Sequence, residues 1–249
     1  RELRGQVAGL ADELERSGLS DVTTPPGEPR FGLGQGASKV YGLESGLSIG
    51  GYGEALYSAP AGGTAQADFL RGVLYFGYKF DDRWLFNSEL EVEHADVGEG
   101  GDVALEFAVI ERLVSDAVNV RAGLVLVPMG FVNELHEPTT YLSARRPETE
   151  SRIIPSTWRE NGVGLFGDAG PFSYRAYVVN GFDGAGFSAG GLRGGRQKGS
   201  EALAEDLAVV ARLDWTDTPG VLVGASVYVG DSGQGPAIGD AGTTIVEAH

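Results

Sequence analysis

From Leu47 onward the apolar residues recur at every second position. Leu47, Ile49, Gly51, Gly53, Ala55 and Tyr57 are apolar or small, and Ser48, Tyr52 and Glu54 alternate with them. Leu70, Leu74, Phe76, Tyr78 and Phe80 then oppose Asp68, Arg71 and Lys79. Trp84, Phe86, Leu90 and Val92 oppose Asn87, Glu89, Glu91 and Glu93. The same period carries Val103, Leu105, Phe107 and Val109 against Glu106 and Arg112, and Val118 to Leu126 against Asn119 and Arg121. It continues through Gly162–Gly167, Phe172–Val178 against Arg175, Leu207–Trp215 against Arg212 and Asp214, Val221–Val229 and Thr243–Ala248. A period of two over such runs predicts strands, so the chain reads as all-β.

The first twenty residues break this rhythm. Leu3, Val7, Leu10 and Leu14 fall at heptad-like spacing, which predicts a short N-terminal helix over 1–20. Residues 21–38 are rich in Pro and Gly and read as a linker, leaving 39–249 as the sheet-forming region. Met129 to Trp158 has no clear period and is too long for a plain connection, which marks a functional loop at about 129–160. That loop carries Asn133, His136, Arg145, Arg146, Glu150 and Arg152.

Alternation alone does not say what the apolar face meets, since a sandwich strand also has one wet and one dry face. Long strands, tight turns alternating with long loops, and aromatics (Phe80, Trp84, Phe172, Trp215) beside the turns favour a transmembrane antiparallel up-and-down barrel. In that arrangement the polar positions Glu54, Arg71, Glu89, Glu91, Glu93, Glu106, Arg112, Arg121, Arg175 and Arg212 would line a pore. Glu111 stands out as an acid on the apolar face near a strand end.

Composition narrows the chemistry. With 19 Lys and Arg against 35 Asp and Glu, the net charge of −16 argues against a nucleic-acid partner. The absence of cysteine excludes disulfides, thiolate metal sites and thiol nucleophiles. Forty glycines in 249 residues disfavour long helices. Gly230-Asp231-Ser232-Gly233 imitates a serine-protease nucleophile motif without the partner segments, and His94 and His136 lack metal-ligand spacing. No catalytic residue, metal or cofactor is expected.

The segments KVYGLESGLSIGGYGEALYS, FLRGVLYFGYKFDDRWLFNSELEVEHA, GLVLVPMGFVNELHEP and RPETESRIIPSTWRENGVGLFG resemble bacterial outer-membrane porins. They are most similar to the superfamily that includes the phosphate-selective porins. The resemblance runs from Lys39 to the C-terminus and is carried best by Pro128 and Gly130 before the long loop, then Gly162 and Gly164. It implies a barrel of about 16–18 strands when complete, with about 9–10 present here, a homotrimer and an inward-folded third loop. It also implies an outer-membrane setting with lipid and lipopolysaccharide contacts, a periplasmic N-terminal helix, and passive diffusion of small hydrophilic solutes. The mixed charges of the wall do not carry phosphate selectivity over. On this reading 249 residues are a fragment of a larger porin. The alternatives are a soluble β-sandwich that binds carbohydrate, or an outer-membrane barrel enzyme.

Overall fold

The computed structural model describes residues 28–249 apart from 97, 99 and 237. The expected helix over 1–20 and the linker up to residue 27 lie outside these. Within the described part of the linker, Arg30 and Leu33 pair across a turn and Gln35–Ser38 forms one helical turn, α1.

Ten antiparallel strands follow: β1 (Gly46–Ser58), β2 (Gln66–Lys79), β3 (Trp84–Glu93), β4 (Asp102–Leu113), β5 (Asn119–Leu126), β6 (Arg159–Ala169), β7 (Phe172–Asn180), β8 (Leu207–Trp215), β9 (Val223–Asp231) and β10 (Gly242–Ala248). Their order in the sheet is the order of the chain. The all-β reading and the location of the strands therefore hold.

The closed barrel does not. Among the described residues β1 pairs with β2 and β10 with β9, and no ladder joins β1 to β10. A sheet tolerates the hydrocarbon of a bilayer only when closure satisfies every backbone N–H and C=O. The outer-membrane porin, with its water-filled channel, its lipid and lipopolysaccharide contacts and its homotrimer, falls with the closure it required. No helix among the described residues is long and apolar enough to cross a membrane.

The contacts divide the chain into two compact units. The first takes residues 35–105. On its polar face α1 lies against the strands: Asn87 donates to the Ala37 carbonyl at 2.9 Å, and Lys39 to that of Ile49 at 3.1 Å. Lys79 reaches the carbonyls of Tyr41 and Leu43. The second unit takes Pro29–Gly34 and Glu106–His249. In it Trp158 stacks on Phe182 with centroids 4.5 Å apart, and Tyr228 closes against both.

In both units the alternation is inverted relative to an ordinary core. Leu74, Phe76, Leu90, Val163, Val209 and Val229 are exposed, while Arg71, Glu91, Arg121, Arg175 and Arg212 are buried. One strand departs from the expected phase. Glu106 and Phe107 are consecutive and both buried, so beyond them Val109 and Glu111 turn inward and Ile110 and Arg112 outward. Such a slip lets one strand change face along its length, as a bulge does. It explains why Glu111, on the apolar face by simple alternation, is completely buried here.

Candidate functional site

The polar face of the second unit is built by pairing arginines with carboxylates, some of them shared. Glu111 on β4 and Arg121 on β5 are register partners, with Nε 2.6 Å from the carboxylate. The Arg121 guanidinium also donates to Tyr177 at 2.9 Å and lies 4.5 Å from the Phe166 ring centroid. Burial raises the Tyr177 hydroxyl to about 12, keeping it neutral and able to accept this bond. Arg159 grips both oxygens of Glu106 at 2.8 Å.

The densest part lies on β7 and β8. Arg175 forks onto Glu134 of the long loop, with Nη2 at 2.7 Å, and onto Asp214 at 2.8 Å. Arg212 holds the same Asp214 with its Nε at 2.9 Å from each oxygen, and it also donates to the Gly130 carbonyl. Desolvation opposes the charge on both members. For Asp214 the bonds from His249, Arg175 and Arg212 outweigh it and hold the carboxyl well below its ordinary value. For Arg175, Glu134 and Asp214 outweigh it and raise the guanidinium further.

Residues Met129 to Trp158 are pinned at both ends. Asn133 donates to the carbonyls of Val127 and Trp158 at 2.7 and 2.8 Å, and its own oxygen accepts from Trp158 N at 2.6 Å. Glu150 accepts the N–H groups of Phe131 and Val132, beneath Gly130 at φ +81°. His136 is buried with Nδ1 3.0 Å from the Asn133 carbonyl, and Arg146 donates to the carbonyl of His136. Arg145 is exposed, and Arg152 is an exposed partner of Glu148. Asn133, His136 and Glu150 thus shape the loop, whereas Arg145 and Arg152 face outward.

Glu54, Arg71, Glu89, Glu91 and Glu93 are in the first unit. Arg71 on β2 ties Glu54 on β1 at 2.8 Å and Glu91 on β3 at 2.7 Å, with Glu89 buried two residues along. Glu93, at the end of β3, is half-buried opposite Arg71. Arg112, on β4 in the second unit, is exposed.

Beside the β7–β8 cluster lies a cavity of 340 Å³. Its charged lining is Arg30, Asp168, Arg175, Arg212 and Asp214, its apolar lining includes Phe31 and Leu135, and Thr216 also faces it. Phe31 is fixed by an edge-on contact with Phe166 at 5.0 Å. Simple alternation points to Arg175, Arg212 and Asp214. Glu134 and Phe31 come from aperiodic segments, where no pattern singles them out.

Other sequence candidates resolve into structure. Asp231 Oδ1 accepts the N–H groups of Ser232, Gly233 and Ala241, and Ser232 Oγ meets Thr243 at 2.7 Å, so the protease-like tetrapeptide is a hydrogen-bonded turn. His94 pairs with Asp68 at 2.8 Å on the surface. Arg193 and Arg196 peg their loop to the Ser156 carbonyl at 2.6 and 2.7 Å. Among the described residues no group of three His, Asp or Glu is placed to hold a metal ion.

No family model matches the chain. It is similar to an uncharacterized protein of Aquifex aeolicus (strain VF5), 44% identical over 210 residues, which cover 81% of this chain. The chain spans about half (48%) of that curated relative's length.

Proposed function

We propose that the second unit binds a small neutral carbohydrate in the cavity beside Arg175, Arg212 and Asp214, and that it binds without catalysing a reaction. The observation that carries this reading is the lining of that cavity, which combines a paired guanidinium–carboxylate lattice with Phe31. Its volume is within the range of small-ligand sites. A sugar presents hydroxyls that both donate and accept, and C–H faces that pack on an aromatic ring. Arg175 and Arg212 are balanced by Glu134 and Asp214, and Arg30 and Asp168 add one charge of each sign, so the lining favours a neutral, hydroxyl-rich solute over a highly charged one.

Calorimetric titration with neutral mono- and disaccharides, and with a uronic acid for comparison, tests this. Saturable binding of a neutral sugar is expected, weakened about tenfold by Asp168→Asn through loss of one charge-assisted bond. A folded chain that binds none of the sugars would overturn the proposal.

A further inference from the structure

The imidazole of His249 touches three charged groups of the second unit, and two more stand behind them. Its Nδ1 is 2.9 Å from Glu247 on β10. Its Nε2 is 3.0 Å from Arg212 Nη2 and 3.1 Å from Asp214 Oδ1, both on β8. Arg175 on β7 binds the far oxygen of Asp214, and Glu134 in the loop lies 3.9 Å from Arg212. The Phe131 ring packs on the imidazole at 5.3 Å, and Ser226 on β9 donates to Glu247 at 2.9 Å.

This geometry admits two proton arrangements and no third. A carboxylate only accepts, so Nδ1 carries a proton toward Glu247 in either state. An arginine only donates, so Nε2 serves Arg212 solely when it is bare. Asp214 only accepts, so Nε2 serves Asp214 solely when it is protonated. The single nitrogen between Arg212 and Asp214 therefore selects one of them according to its protonation.

We propose that His249 is a proton-operated selector for the cavity lining: neutral, it accepts from Arg212 and leaves the lone pair of Asp214 Oδ1 not used by Arg212 Nε for a ligand hydroxyl, and protonated, it occupies that lone pair itself. The inference rests on the carbohydrate reading of the cavity for its consequence, and on the hydrogen-bond geometry alone for its mechanism. The bond to Asp214 raises the imidazole above its ordinary 6.5, against burial and Arg212, and Glu247 adds to the rise. The selector thus works above the ordinary imidazole range.

Nitrogen NMR of His249 in the whole chain tests the mechanism without any sugar. The neutral ring is expected as the Nδ1–H tautomer, and Asp214→Asn should lower its midpoint. A neutral ring protonated on Nε2, or a midpoint indifferent to Asp214→Asn, would overturn the selector. Calorimetry across pH 5–9 with the neutral sugars tests the consequence. Affinity is expected to fall roughly five- to tenfold as pH drops through the His249 midpoint, and His249→Gln should remove that step while preserving binding. A pH step that survives His249→Gln would also overturn it. If no sugar binds at any pH, the carbohydrate reading fails while the tautomer still decides the selector.

Discussion

The two units bury charge in different ways. In the first, Arg71 serves two carboxylates, Glu54 and Glu91, with Glu89 buried nearby, and the lysines Lys39 and Lys79 point to backbone carbonyls. In the second, Arg121, Arg159, Arg175 and Arg212 each meet a carboxylate in close geometry. A buried ion pair offsets its desolvation only when geometry is good and the remaining lone pairs are satisfied. The second unit approaches that condition around Arg175 and Arg212 by forked, shared contacts. The first instead uses ammonium groups to tie α1 and the turn after it onto the sheet. The difference shows that one residue pattern, charge at alternate strand positions, can build either a fastening or a lattice beside a cavity.

The largest effect should come from breaking that lattice. Glu134→Gln removes the loop's carboxylate from Arg175 and Arg212, and a loss of about 3–5 kcal/mol is expected from the uncompensated charge. Hydrogen exchange read by mass spectrometry should show faster exchange in β7 and β8, with β2 and β3 unchanged; equal loosening of both units would break the comparison. Arg71→Met in the first unit should cost less, about 1–3 kcal/mol, because the Glu54 side chain keeps some access to water. Exchange in β2 and β3 reads it.

Gly130→Ala comes next. It places a side chain at φ +81° with its Cβ 2.5 Å from a Glu150 oxygen, and a loss of at least about 1 kcal/mol is expected in chemical denaturation. A neutral result would show that the loop yields more readily than its hydrogen bonds suggest.

The pH dependence sharpens the contrast further. Asp214 is held below its ordinary 3.8, so its stabilisation is complete above that value and is lost as pH falls through the folded-state value. His249 is raised above 6.5, so its contribution is complete below that value and is lost as pH rises through the folded-state value. Stability of the second unit should therefore be greatest between about 3.8 and 6.5 as far as these two groups decide it. Asp214→Asn should flatten the acid limb of the denaturation profile. The smallest effect belongs to the exposed pair in the first unit, where the bond to Asp68 raises His94. Asp68→Asn should return the His94 titration, followed by NMR, toward its ordinary value without changing stability measurably.

Strand positions were legible in the sequence because a pleated backbone sends successive side chains to opposite faces, whatever those faces meet. That same property made Arg175, Arg212 and Asp214 readable as neighbours on one face. The phase slip at Glu106 and Phe107 was not readable, since a one-residue irregularity leaves the composition of β4 unchanged while exchanging the faces of Glu111 and Arg112. Nor was the role of the long loop. Glu134 and Glu150 look alike in sequence, but one completes a guanidinium lattice and the other caps backbone N–H groups.

The sequence by itself determined that the chain is all-β, where each strand lies and, outside the slip, which residues share a face, because those follow from local periodicity. Closure of the sheet is a relation between residues far apart in the chain, and periodicity contains no measure of it. Only the tertiary structure decided that β1 and β10 are not joined among the described residues, that the charged face is the buried one, and which carboxylate each arginine meets. Those outcomes depend on distances between elements, which no local pattern encodes.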